Sequence, residues 1–135
     1  MAEVSIALTD LSANTASSDI RSTAGTSTTV DSGNTAVIAA PGGGYRLIVV
    51  AENNSTAALS ALLTIQSGDK PPAEGANRGN TALTALAQNE IRAFTIDMSR
   101  HSQSDGTVDI AITDSTSTAT NTDVRVSALR IGRDV

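Results

Sequence analysis

The stretch Tyr45-Arg46-Leu47-Ile48-Val49-Val50-Ala51-Glu52 decides the fold class of this chain. Its alternation puts Leu47 and Val49 on one face of an extended strand and Ile48 and Val50 on the other. A strand apolar on both faces suits the middle of a sheet. Ladder breakers flank it: Pro41-Gly42-Gly43-Gly44 comes before, and Asn53-Asn54, which tolerates left-handed backbone, comes after.

Outward from this strand, short apolar runs recur between turn residues. They cover residues 35–40, 58–66, 81–86, 90–97, 106–113 and 123–131. In the run 106–113, Val108, Ile110 and Ile112 alternate with Thr107, Asp109 and Thr113, the pattern of a strand with one wet face; Gly106 in Ser104-Asp105-Gly106 supplies the turn before it. Near the start, Val4, Ile6 and Leu8 share one face of a half-buried strand. Helix competes with strand in 55–65 and 81–89, where Ala and Leu are frequent and some spacings approach three to four. The pattern predicts an all-β fold, a β-sandwich or jelly roll of about eight short strands.

Residues 11–34 are dominated by Ser, Thr, Ala, Asp and Gly, with Ile20 and Val30 the sizeable apolar residues inside the segment. An extended arm that orders against a neighbour, a disordered segment and a packed irregular loop all fit this composition. The domain organisation read from this change of texture is an N-terminal strand and extended Ser/Thr-rich arm over 1–34, followed by a β-sandwich domain over 35–135.

Composition limits the core and the partners. The chain has 135 residues, the size of one ordinary domain, with one Phe, one Tyr and no Trp. Its apolar residues are mainly Ala, Val, Ile and Leu, so each buried side chain contributes at most about 1.5–3 kcal/mol. A thin core with no cysteine to cross-link it points to association with other chains. The net charge of −5 argues against binding a phosphate backbone. No run approaches the roughly 18 apolar residues of a membrane span, and the first ten residues lack the basic start of a secretory signal. The expectation is a protein made in a cytoplasm, with no nucleic-acid or membrane partner.

Chemistry has little to work with. His101 is the single histidine, so a triad would have to join it to Ser99, Ser102 or Ser104 and to Asp97 or Asp105, all neighbours in sequence. A histidine beside a polar turn is more often a surface or interface residue than a base. Asp105, Asp109, Asp114 and Asp123 supply oxygen ligands for calcium but not the spacing of an EF-hand loop. The stretch 41–44 lacks the lysine and the following helix of a phosphate cradle. The reading is a non-enzyme with no cofactor, no metal and no small-molecule substrate.

From Gly68-Asp69-Lys70-Pro71-Pro72-Ala73, after a strand ending Thr64-Ile65-Gln66, the chain resembles the head decoration, or cement, proteins of tailed bacteriophages. That family has a strand followed by a similar Gly-Asp-x-Pro-Pro loop. The stretch from Arg100-His101-Ser102-Gln103 through Asp105-Gly106 to Ile110 is similar to the family's strand, turn and strand, and Ser127-Ala128-Leu129-Arg130-Ile131 is similar to its closing strand. The resemblance spans 45–131. Relatives carry aromatic residues before the Asp-Gly turn and at the end of the next strand, where this chain has His101 and Ile112 nearby.

The resemblance implies a virion structural protein on the outer capsid surface, bound to the major capsid protein and to copies of itself at capsomer junctions, with a homotrimer expected. Candidate assembly contacts are Val4, Ile6, Leu8, Ile20 and Val30 of the N-terminal segment, the loop residues Asp69, Lys70, Pro71 and Pro72, and His101 and Gln103. The competing readings are a tail, fibre or filament subunit that lends its first strand to the next copy, and a glycan-binding module, which would have only Tyr45 and Phe94 as aromatic platform.

Overall fold

The computed structural model describes residues 3–17, 20, 28–30, 33–39, 45–55, 60–68, 79–114 and 123–132. Among these residues ten strands form two five-stranded mixed sheets, an all-β arrangement consistent with a β-sandwich. The strands are β1 (Glu3–Ile6), β2 (Leu8–Leu11), β3 (Thr28–Thr29), β4 (Thr35–Ala39), β5 (Tyr45–Asn53), β6 (Ala61–Ile65), β7 (Thr81–Ala82), β8 (Ile91–Thr95), β9 (Thr107–Asp114) and β10 (Val124–Gly132). A single helical turn, α1 (Met98–His101), lies between β8 and β9. The first sheet runs β1-β4-β9-β6-β7; the second runs β2-β10-β5-β8, with β3 also paired to β10.

Alternation decides what each sheet buries. Leu47, Val49, Ala51 and Asn53 of β5 are buried, whereas Ile48, Val50 and Glu52 are half-buried. Across the ladder Val124, Val126 and Ala128 of β10 stand beside the buried row. The first sheet answers with Ala36 and Ile38 of β4, Val108, Ile110 and Ile112 of β9, and Leu63 and Ile65 of β6. The resulting core is aliphatic. Phe94 packs against it only partly buried, and the β-branched Val and Ile that dominate it favour a pleated surface.

The N-terminal segment differs from its expected form. Val4, Ile6 and Leu8 do share an inward face, but the strand is cut at Ala7. β1 pairs in parallel with β4 of the first sheet, and β2 pairs in parallel with β10 of the second. The segment therefore crosses from sheet to sheet in one residue. Farther on, β3 pairs with β10, Val30 is fully buried, and the Val30 amide donates to Val124 O at 2.7 Å. β1, β2, β3 and Val30 thus take part in the sandwich, whereas residues 12–17 are exposed and lie in no strand. Residues 1–2, 18–19, 21–27 and 31–32 lie outside the described residues.

Helix lost the competition in the described parts of 55–65 and 81–89. Residues 61–65 and 81–82 are strands, and Leu86 bridges to Ala61. Long-range pairing to β9 and the burial of Ala61, Leu63 and Ile65 on alternate positions override local helix propensity. Where the resemblance implied a strand at 100–103, the chain makes α1 instead, with the His101 amide bonded to Asp97 O.

Candidate assembly surface

Two polar clusters fix the ends of the sandwich. At one end Asn53, fully buried, extends β5 rather than turning. Its Nδ2 donates to Leu86 O at 2.9 Å, and its Oδ1 accepts from the Ser55 amide and from Ser55 Oγ at 2.6 Å. Ser55 Oγ in turn accepts from the Asp123 amide at the mouth of β10, and Gln88 Nε2 donates to Ser55 O. The left-handed residue here is Asn89 (φ 64°), not Asn53 or Asn54. The Asn89 amide donates to Asn53 O while the Asn53 amide donates to Glu90 O, so two residues oppose one and a bulge leads into β8.

At the other cluster, His101 is 3% exposed and both ring nitrogens are engaged. Nδ1 lies 2.8 Å from Gln66 O, and a carbonyl only accepts, so Nδ1 carries the proton. Nε2 lies 3.1 Å from Thr81 Oγ1, a hydroxyl that can both donate and accept. The ring contacts neither Ser102, Ser104, Asp97 nor Asp105 in this way; it ties α1 to the end of β6 and to β7. Gln103 Nε2 donates to Ser67 O at 2.9 Å, and the Gly68 amide donates to Arg100 O. A Cβ on Gly68 would sit 2.5 Å from Ser102 O, so the glycine is required by the close approach of the two backbones. Gly106, with φ 83°, fills the left-handed turn position expected of it.

These placements reassign several expected contacts. Ile6 and Val30 are core residues, Val4 and Leu8 pack against the core, and His101 and Gln103 fasten loops of their own chain. Ile6, Val30 and His101 are buried within the protein, whereas Val4, Leu8 and Gln103 are half-buried. Ile20 is half-buried, and Asp69, Lys70, Pro71 and Pro72 lie outside the described residues. Of the aspartates read as oxygen ligands, Asp105 caps the Thr107 amide and hydroxyl, Asp109 meets Thr107 Oγ1, and Asp123 pairs with Arg125 at 2.8 Å. No group of three or more metal-binding side chains forms among the described residues.

The register shows a different candidate surface. The outward row of the second sheet holds Leu11 on β2, Leu129 and Ile131 on β10, Ile48 and Val50 on β5, and Ile91 and Ala93 on β8. The charged members stand at the margins, Arg46 near one end and Arg125 facing Glu52 at the other, while Ser127 across from Val50, Thr9 across from Leu129 and Thr95 across from Ile48 are polar but uncharged. Leu129 at the centre is 7% exposed and Ile91 at the edge 56%. The outward row of the first sheet is instead mostly polar or small, with Glu3, Ser5, Thr35, Thr107, Asp109 and Thr113, and Leu62 its exposed large apolar residue. The signal was present in the two-faced apolar strand 45–52. The face of β5 away from the core is only partly covered: Ile48 and Val50 are half-buried, their β10 neighbours Leu129 and Ser127 are buried, and the row opens to solvent toward β8.

A scan against protein-family models matches none, and neither the curated proteins nor the solved structures contain a significant match to the chain.

Proposed function

We propose that this chain is a non-enzymatic virion structural protein that decorates and stabilises the outer surface of a phage capsid, seated on the major capsid protein at capsomer junctions as a homo-oligomer. The observation that carries the reading is the inequality of the two outer faces. The second sheet offers a largely aliphatic row, half-buried at Ile48 and Val50 and exposed at Ile91 and Ala93, with charges at its margin, the make-up of a protein–protein contact, whereas the first sheet offers a wet, Thr- and Asp-bearing face suited to solvent. The sequence resemblance to decoration proteins supports the same reading. Attachment stabilises a shell by mass action, by about 2.7 kcal/mol per site when the free protein stands at a hundred times its Kd.

The chain shares with a jelly roll the connections that pass between sheets at nearly every step, but its parallel pairs β1–β4 and β2–β10 depart from that form. The proposal needs only the sandwich. A filament subunit that donates its first strand is less well supported, because β1 and β2 are already paired inside their own chain.

The test is cosedimentation with phage heads stripped of the protein. Saturable binding at a fixed ratio to the major capsid protein is expected. Absence of binding, with the protein folded, overturns the decoration role.

A further inference from the structure

From the β8 edge we infer that the protein self-associates by pairing β8 with β8 of a second copy about a two-fold axis through Ala93. Among the described residues β8 has one ladder neighbour, β5. The hydrogen bond from the Asn53 amide to Glu90 O sets the phase of that ladder. Alternate residues, Arg92 opposite Ala51 and Phe94 opposite Val49, therefore turn their backbone groups toward β5. Ile91, Ala93 and Thr95 turn theirs away from the sheet, and all three are exposed.

Only one two-fold register uses the whole strand. Centred on Ala93, it sets Ile91 against Thr95, Ala93 against Ala93 and Thr95 against Ile91, each pair exchanging two N–H···O bonds. Centring on Ile91 would run the pairing into Asn89, whose left-handed backbone ends the extended chain. Centring on Thr95 would run it past the strand into Ile96 and Asp97.

The chosen register is also complementary in charge. It brings Arg92 of each copy directly across from Phe94 of the other, in the closer, non-hydrogen-bonded type of pair, where a guanidinium meets the negative face of a ring. Arg92 is held in place by Glu90 of its own chain at 3.2 Å. Beneath these residues lies an apolar pocket of about 160 Å³ lined by Leu63, Leu83, Leu86, Arg92 and Phe94, which a second strand along β8 would help to close. Residues 91–95 contain no Pro, Lys or bulge to keep the edge from pairing; their one charge, Arg92, stands on the core-side row and is matched by Glu90. The two-fold replaces the trimer expected from the sequence, and it would carry the apolar outer row of Ile48, Val50, Ile91 and Ala93 continuously into the second copy.

The test uses the full chain. Sedimentation over a concentration series is expected to show a species of twice the 13.7 kDa chain mass. Ala93→Pro removes an outward amide without touching the β5 ladder, and Ile91→Lys places charge on the pairing row. Both are expected to abolish the dimer with unchanged circular dichroism. Because the protein has no cysteine, Ala93→Cys supplies an independent readout. Facing residues in such a pair have Cα atoms about 5.5 Å apart, within disulfide reach, so mild oxidation should trap a covalent dimer far faster than it does for Thr113→Cys on the other sheet. A protein monomeric throughout the series, a trimer, or equal trapping of the two cysteine variants overturns the pairing. The inference stands apart from capsid binding. A dimer that ignores heads defeats the decoration role alone, and a monomer that binds them defeats the β8 pairing alone.

Discussion

Asn53→Ala is expected to destabilise the protein by on the order of 3 kcal/mol, read as a lower urea midpoint at unchanged slope. It takes from the buried Ser55 amide and hydroxyl the acceptor they share, while Leu86 O keeps the Ala61 amide, and each buried polar group left unpaired costs about 1–3 kcal/mol. In sequence, Asn53-Asn54 looked like a turn; Asn is chosen here because its amide both donates and accepts in a closed space, which spacing alone does not display. Gly106 was legible because its turn is local, whereas Gly68 and His101 depend on a close approach between segments 30 or more residues apart. A second residue-scale prediction concerns acid. The hydrogen bond from Arg130 Nε to Asp10, with the guanidinium charge added and slight desolvation opposing, holds the Asp10 carboxyl below its ordinary 3.8. The pair's contribution is therefore full above pH 3.8 and is lost as pH falls through the lower folded-state value. An NMR titration should place the Asp10 midpoint below 3.8 and move it upward in Arg130→Gln; an unmoved midpoint would sever that assignment. The contribution is small, because the Asp10 side chain is 63% exposed.

Among the elements, β1, β2 and β3 matter most for how the chain holds together. Removing residues 1–34 would take Ile6 and Val30 from the core and uncover the edges of β4 and β10. That truncation is expected to yield no cooperative thermal transition and to bind a hydrophobic dye; a truncated chain with the native circular dichroism would show that the three strands are dispensable. The strands from 35 onward were legible to within a few residues, since alternation and turn chemistry are local signals. The N-terminal segment was harder to read because β1 and β2 are parallel partners of strands remote in sequence, and parallel pairing leaves no hairpin turn to recognise. β7 shrank to two residues for a related reason: beyond Ala82 the chain bends over the pocket, and Leu86 rejoins the first sheet by a single bridge.

For the whole molecule, two layers built from small aliphatic side chains bury one face of each sheet and leave much of the other outside, although Leu129 and Ser127 on the outer face of the second sheet are covered by the protein itself. The polar outer face of the first sheet was visible in the Thr107–Thr113 alternation. The apolar outer face of the second was visible only as a strand with no polar side, which reads equally as a fully covered one. That face is the centre of the functional account, and a paired substitution addresses it directly. Val50→Glu puts a charge in the middle of the outward apolar row, and Thr113→Glu puts the same charge on the exposed row of the opposite sheet. Both chains should keep the native circular dichroism. The decisive measurement is their binding isotherm on stripped heads beside the unsubstituted protein. The account predicts at least about a tenfold loss of affinity for Val50→Glu, equivalent to about 1.4 kcal/mol, and none for Thr113→Glu. Equal binding by the two variants, or a loss confined to Thr113→Glu, would contradict it.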